Sequence, residues 1–237
     1  MKRLFILIVL LAVQFSGYST HAKRTMTISF KHMINGVPLV LNNKKYRNEH
    51  GDTFTVSKLK YYVSNFSMVT ANGHEITLPA AYYLVNAEDN SSTSITIADF
   101  PKEKIASIKF ILGVDSARNV SGAQTGALDP ANKMFWTWNS GYIFLKLEGT
   151  SPQSPTGKIS FDIGGIKAAA NSIRVQEVKI PAGKSDNGKI TLQADLADLF
   201  RGKETIDFSA IYKVMGGAKS VKIADNYGVS LFSFYGI

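Results

Sequence analysis

The sequence predicts an all-β protein: an antiparallel β-sandwich with one or two short helices in a single domain. Runs of alternating apolar and polar residues recur along the chain. Turn signals separate several of them, at Asn35-Gly36, Asn72-Gly73 and Asp186-Asn187-Gly188. Helical periodicity is sparse, and many short strands with little helix pack best as two facing sheets. A length of 237 residues suits one domain.

In chain order, residues 25–34 alternate and return across Asn35-Gly36 into 37–41, a hairpin. Residues 57–63 are expected as a short helical turn with Ser57 as its N-cap. Residues 65–70 and 75–78 form a second hairpin, with Phe66 and Met68 facing Ile76 and Leu78. Strands follow at 82–86, 94–98, 105–113, 134–148 and 158–163. A third hairpin joins 173–180 to 189–193 through Asp186-Asn187-Gly188. Residues 195–200 read as a short helix closed by Arg201-Gly202, and 208–215 are ambiguous before Gly216-Gly217. Two segments read as loops, the long polar 116–131 and the Pro-containing 151–157.

Residues 1–22 read as a secretory signal peptide. Lys2 and Arg3 precede the apolar run 4–13, too short to span a bilayer, and Thr20-His21-Ala22 offers small residues for cleavage. The mature domain is then 23–237, exported to the periplasm or the cell surface, with no later apolar stretch long enough to span a membrane. The full chain carries +9; without the leader, 25 basic residues face 18 acidic ones, or +7. The positive charge is mostly scattered lysine, with Lys44, Lys45 and Arg47 the one tight cluster. That pattern suits a solvated surface and not nucleic-acid binding. The absence of cysteine excludes disulfides, thiolate metal sites, lipoprotein anchoring and a cysteine nucleophile. No G-x-S-x-G, phosphate-loop or metalloprotease motif occurs, so no catalyst is expected.

The densest segment is 113–149. It holds both tryptophans, Trp136 and Trp138, two residues apart and therefore on one face of a strand. Tyr142 and Phe144 continue that parity, while Phe135, Ile143, Leu145 and Leu147 take the other. Apolar residues on both faces predict a central strand, bent at Asn139-Ser140-Gly141. Paired aromatics of this kind are most often core. Met26, Met33, Met68, Met134 and Met215 also read as core from strand parity.

Several stretches together resemble the MbnP family of methanobactin operons, in particular its exported Bacteroidetes-type members. They are GVDSARN at 113–119, GALDP at 126–130 and MFWTWNSGYIFLKLEG at 134–149. HMINGVPLVLNN at 32–43, FTVSKLKYYVSNFSM at 54–68 and FDIGG at 161–165 extend the likeness over nearly all of the mature chain. The resemblance implies a copper-binding β-sandwich of the periplasm or cell surface. It also implies a di-haem MbnH-type partner that oxidises one tryptophan to kynurenine, here Trp136 or Trp138. Many relatives carry histidine where this chain has Asp162, and a carboxylate suits harder ions than copper.

The mature chain keeps three histidines: His32, His50 and His74. His50 and His74 adjoin turns, so His32 is the ligand candidate, with Asp162 beside it as the family's own position. Asp115, Asp129, Glu148 and Asp162 offer a rival calcium set, although their spacing matches no calcium loop and turn capping suits Asp115 and Asp129 better. Two other functions stand beside copper and tryptophan oxidation. One is a metal-free structural or ligand-binding surface module on the same fold. The other is carbohydrate binding through an exposed tryptophan ring.

Overall fold

The computed structural model describes residues 23–138, 141–184 and 188–236. The expected signal peptide, the central part of the Asp186-Asn187-Gly188 turn, and Asn139 and Ser140 of the expected bend lie outside the described residues. The strands are β1 (Lys23–Ile34), β2 (Val37–Pro38), β3 (Tyr46–Arg47), β4 (Thr53–Thr70), β5 (Glu75–Thr77), β6 (Tyr82–Asn86), β7 (Ser94–Pro101) and β8 (Ile105–Leu112). They continue with β9 (Phe135–Trp136), β10 (Gly141–Tyr142), β11 (Leu145–Thr150), β12 (Lys158–Ile163), β13 (Arg174–Lys179), β14 (Lys189–Asp195), β15 (Lys213–Met215) and β16 (Phe232–Gly236). Two α-helices, α1 (Ser116–Asn119) and α2 (Gly217–Ser230), and a few 3-10 turns complete the chain.

The expected sandwich is present. One sheet runs β16-β14-β1-β2, with β7 also on β1. The larger sheet runs β13-β8-β4-β11-β12-β15, with β3, β5 and β6 also paired to β4. Most pairings are antiparallel, but β1 with β14 and β12 with β15 are parallel. Between the sheets, Phe30 of β1 meets Tyr61 of β4 and Phe110 of β8, ring centroids 6.0 and 6.4 Å apart. Phe232 of β16 closes on Phe110 at 5.1 Å. Phe54, Phe161, Phe200 and Phe208 form a second knot of rings in the same core.

Both Asn-Gly hairpins form as expected. Ile34 pairs with Val37 around Asn35 and Gly36, which both take positive φ, and Met68 pairs with Ile76. The helical turn expected at 57–63 does not form, because that segment is the middle of the 18-residue β4. Its alternation changes parity at Ser57: Val56 pairs with Gly149 and Lys58 with Glu148, leaving Ser57 as the extra residue of a β-bulge. Gly149 permits the close approach, since a Cβ there would stand 1.9 Å from the Thr55 carbonyl oxygen.

The third hairpin is also corrected. β13 pairs with β8 in one sheet and β14 pairs with β1 and β16 in the other, so the chain crosses between sheets at this turn. Residues 195–200 form a 3-10 turn, Leu196–Leu199, capped by Asp195. The ambiguous 208–215 begins as a turn and ends in β15. Helix α2 was not foreseen. It buries Ser220, Ile223, Ala224 and Tyr227, a spacing of three and four residues. Among the described residues, no helix is long and apolar enough to cross a membrane.

Candidate functional site

The expected central strand at 134–148 is instead three short strands. β9 and β10 form a hairpin of their own, Gly141 opposite Trp136 and Tyr142 opposite Phe135, and only β11 joins the large sheet. Thr137 and Trp138 turn the chain, and the two tryptophans part company. Trp136 is 4% exposed and Trp138 is 64% exposed, yet their ring centroids stay 5.6 Å apart.

A second, smaller apolar cluster forms around this hairpin: Tyr62, Val114, Leu128, Met134, Trp136, Tyr142, Ile143 and Phe144. The motif residues build its frame. The Asp115 side chain caps α1 through the Arg118 N–H and accepts from the Asn65 amide and the Tyr82 hydroxyl. Burial opposes ionisation of Asp115, but these donors together hold its pKa below the usual value. Burial, with Asp115 beside it, raises the Tyr82 phenol to about 12. The Asn119 oxygen receives the Tyr142 N–H at 2.7 Å. Asp129 caps the 3-10 turn that Pro130 begins. The Tyr62 hydroxyl donates to the Ala127 carbonyl and the Tyr142 hydroxyl to the Leu128 carbonyl, each at 2.9 Å. The polar loop 116–131 is therefore a folded brace under the tryptophan pair.

Beside the pair opens a cleft of about 480 Å³. Trp136, Trp138, Tyr142 and Met215 supply its apolar surface, and Gly164 and Gly216 bring backbone close to the Trp136 ring. A Cβ at Gly164 would stand 3.0 Å from the ring edge. Gly216 has φ +72 and caps α2, a conformation that favours glycine. Met215, expected in the core, is 46% exposed at this cleft; the other four methionines named above are buried. The Trp136 indole N–H is buried and has no hydrogen-bond partner. Such an orphaned donor costs on the order of 1–3 kcal/mol.

Asp162 lies on the same outer face of the large sheet, because its neighbours Phe161 and Ile163 fill the interior. Its backbone carbonyl accepts from Gly216 N–H at 3.1 Å. Its carboxylate is held by the Lys146 ammonium at 2.7 Å, both side chains only 12% exposed. The pairing continues to Glu148 at 3.7 Å and from Glu148 to Lys58 at 2.9 Å. The hydrogen bond from Lys58 and the charge of Lys146 hold Glu148 below its ordinary pKa against the effect of burial.

His32 is elsewhere. It shares the parity of Ile28 and Phe30, inside the sandwich, and its Nε2 lies 3.0 Å from the Tyr61 hydroxyl. Burial lowers its pKa from 6.5 to about 4. Tyr61 belongs to the main core and Tyr62 to the tryptophan cluster, so the large sheet separates His32 from Trp136. The four carboxylates of the expected calcium set do not converge either: Asp115 and Asp129 cap turns, and Glu148 and Asp162 share the Lys146 ammonium. As they stand, these side chains are a poor match to copper: His32 has a phenol for its neighbour and Asp162 an ammonium.

Among the described residues, one group of three potential ligands comes together: His50, Asp52 and Asp207. His50 Nδ1 lies 3.4 Å from Asp52 and 3.9 Å from Asp207. The remaining Asp52 oxygen accepts from the Asn48 amide and the Phe208 N–H, tying the 48–52 loop to the 207–211 turn. Nothing in the sequence brings residues so distant together.

The molecule is thus a β-sandwich with an aromatic, glycine-walled cleft on the outer face of its larger sheet. The MbnP family model matches residues 23–216, and the chain belongs to the MbnP family. Its fold is similar to that of MbnP from Methylosinus trichosporium, with a TM-score of 0.58 over 91% of this chain and 99% of that one, at 16% identity. No curated protein matches.

Proposed function

We propose that this is an exported, non-catalytic MbnP protein whose Trp136–Trp138 pair is the oxidation substrate of a di-haem MbnH-type partner. The observation that carries the reading is the pairing of an exposed ring with a buried one at 5.6 Å. Trp138 is the ring a partner's surface can meet, and Trp136 is the residue converted to kynurenine. With two equivalents of hydrogen peroxide as oxidant, the indole C2–C3 bond is cleaved, and water then releases C2 as formate. The residue keeps one added ketone oxygen and a free aniline. Trp136 packs on Gly164, two residues after Asp162, and on Gly216, whose N–H donates to the Asp162 carbonyl, so conversion creates new nitrogen and oxygen ligand atoms near Asp162. Copper binding, on this reading, belongs to the converted protein and not to the chain as synthesised.

The test is co-expression with the di-haem partner, followed by mapping of the tryptic peptide 134–146, which carries both tryptophans. The expected product has gained one oxygen and lost one carbon at Trp136. Two unmodified tryptophans would overturn the reading. The metal-free alternative rests on the Lys146–Asp162 pair, in which an ammonium already satisfies the carboxylate. Copper titration of the converted protein separates the two, since a metal-free module shows no saturable binding.

A further inference from the structure

We propose that Met215 is a site of reversible oxidation by hydrogen peroxide, and that its thioether is the first oxidisable side chain of the mature protein to react. The proposal concerns a residue that tryptophan conversion does not use, and the reaction needs no partner protein.

The fold forces this side chain outward. Val214 points into the core, so strand alternation turns Lys213 and Met215 to the other face. The backbone is anchored on both sides of the residue. β15 pairs with β12 in parallel register, with Met215 opposite Asp162, and the Gly216 N–H donates to the Asp162 carbonyl. β15 is also the last strand of its sheet, with no further strand beyond it. Met215 is therefore 46% exposed and lines the cleft that holds Trp136 and Trp138. Methionine ordinarily fills cores, and Met26, Met33, Met68 and Met134 do so, each 5% exposed or less.

Composition and chemistry single out the same atom. The chain has no cysteine, so no thiolate competes for an oxidant. The Met215 sulfur attacks one oxygen of peroxide through a lone pair. The O–O bond breaks as the S–O bond forms, and the departing oxygen takes the proton of the transferred one and leaves as water. Sulfur loses two electrons to the peroxide, and no metal or haem is required. The product is the sulfoxide, which methionine sulfoxide reductases return to the thioether. Trp138 is the exposed rival in the same cleft, but the nitrogen pair of an indole is part of its π system and is a poor nucleophile toward free peroxide. The buried methionines react only when the core around them opens. The added oxygen stands at the mouth of the cleft, where solvent hydrates it, so the fold is retained while an apolar wall gains a strong acceptor.

The test is a time course of the mature protein in dilute hydrogen peroxide, quenched and mapped by tryptic peptides. Each of the five mature methionines falls in a different peptide, that of Met215 being 214–219. The 214–219 peptide is expected to gain one oxygen about tenfold faster than any of the other four methionines, and before either tryptophan is modified. Reductase treatment should return it to its starting mass, and Met215→Leu should lack the early product. In denaturant the five methionines should react alike, which assigns the selectivity to the fold. Oxidation of Met215 no faster than the buried methionines, prior oxidation of a tryptophan, an adduct that the reductases leave in place, or the same selectivity in denaturant would overturn the proposal. None of these outcomes bears on conversion by a partner, because no haem protein is present.

Discussion

The two apolar clusters of this protein lie on opposite faces of one sheet and meet solvent differently. In the main core most polar groups are matched, the Gln176 amide nitrogen excepted. His32 meets Tyr61, and the Asp52 carboxylate accepts from Asn48 and Phe208. In the smaller cluster the tyrosines and asparagine are matched too, but the Trp136 N–H is not, and Trp138 stands in solvent beside it. The first region is built for stability. The second leaves a buried donor unpaired and presents one ring, that of Trp138, to solvent.

The largest expected effect breaks the main core. Phe110 is fully buried among Phe30, Phe66 and Phe232, and Phe110→Ala should cost about 4 kcal/mol in denaturant unfolding. Lys146→Ala should come next, at about 3 kcal/mol, because it leaves the Asp162 carboxylate nearly buried and unpaired. Lys146→Ala with Asp162→Asn should recover part of that loss if the pair, and not the lysine stem, is what matters.

A smaller effect depends on pH. The unfolded chain protonates His32 near 6.5, while the folded one resists until about 4. Folding is therefore favoured above that window, and stability falls as pH drops through it, by about 2 kcal/mol between pH 7 and pH 4.5. His32→Gln should lose that part of the acid sensitivity when its unfolding is compared with wild type at pH 7 and pH 4.5. The smallest effect sharpens the contrast. Trp138→Ala should change stability by less than about 0.5 kcal/mol, since its ring is mostly exposed. A loss as large as that of Phe110→Ala would mean that Trp138 is a packing residue and not a presented one.

Much of the fold was legible where local rules coincide with tertiary pairing. The strand 158–163 and the Asn-Gly hairpins follow directly from alternation and turn chemistry. The helical turn expected at 57–63 fails at a bulge: Ser57 shifts the parity between Val56 and Leu59, so the run no longer alternates. The third expected hairpin has sound local signals on both arms, and only the partners β8 and β1 send them to different sheets. Helix α2 carries its period in Ser220, Ile223, Ala224 and Tyr227, with Lys222 and Asp225 between, and that spacing is a readable signal.

The site was legible in part. Trp136 and Trp138 stand out by type and spacing, but their unequal exposure depends on the β9–β10 hairpin, whose turn replaces the single strand that parity suggests. Asp162 gave no sign of Lys146, which is its neighbour only through strand register. His32 and Trp136 could be linked on paper as parts of one site, and the sheet between them removes that link.

The most direct test of the tryptophan pair as functional centre is peptide mass mapping of residues 134–146 after co-expression with the di-haem partner, in wild type and Trp138→Phe. The account predicts kynurenine at Trp136 in the wild type and much less of it in the variant. Two intact tryptophans in the wild type would contradict it.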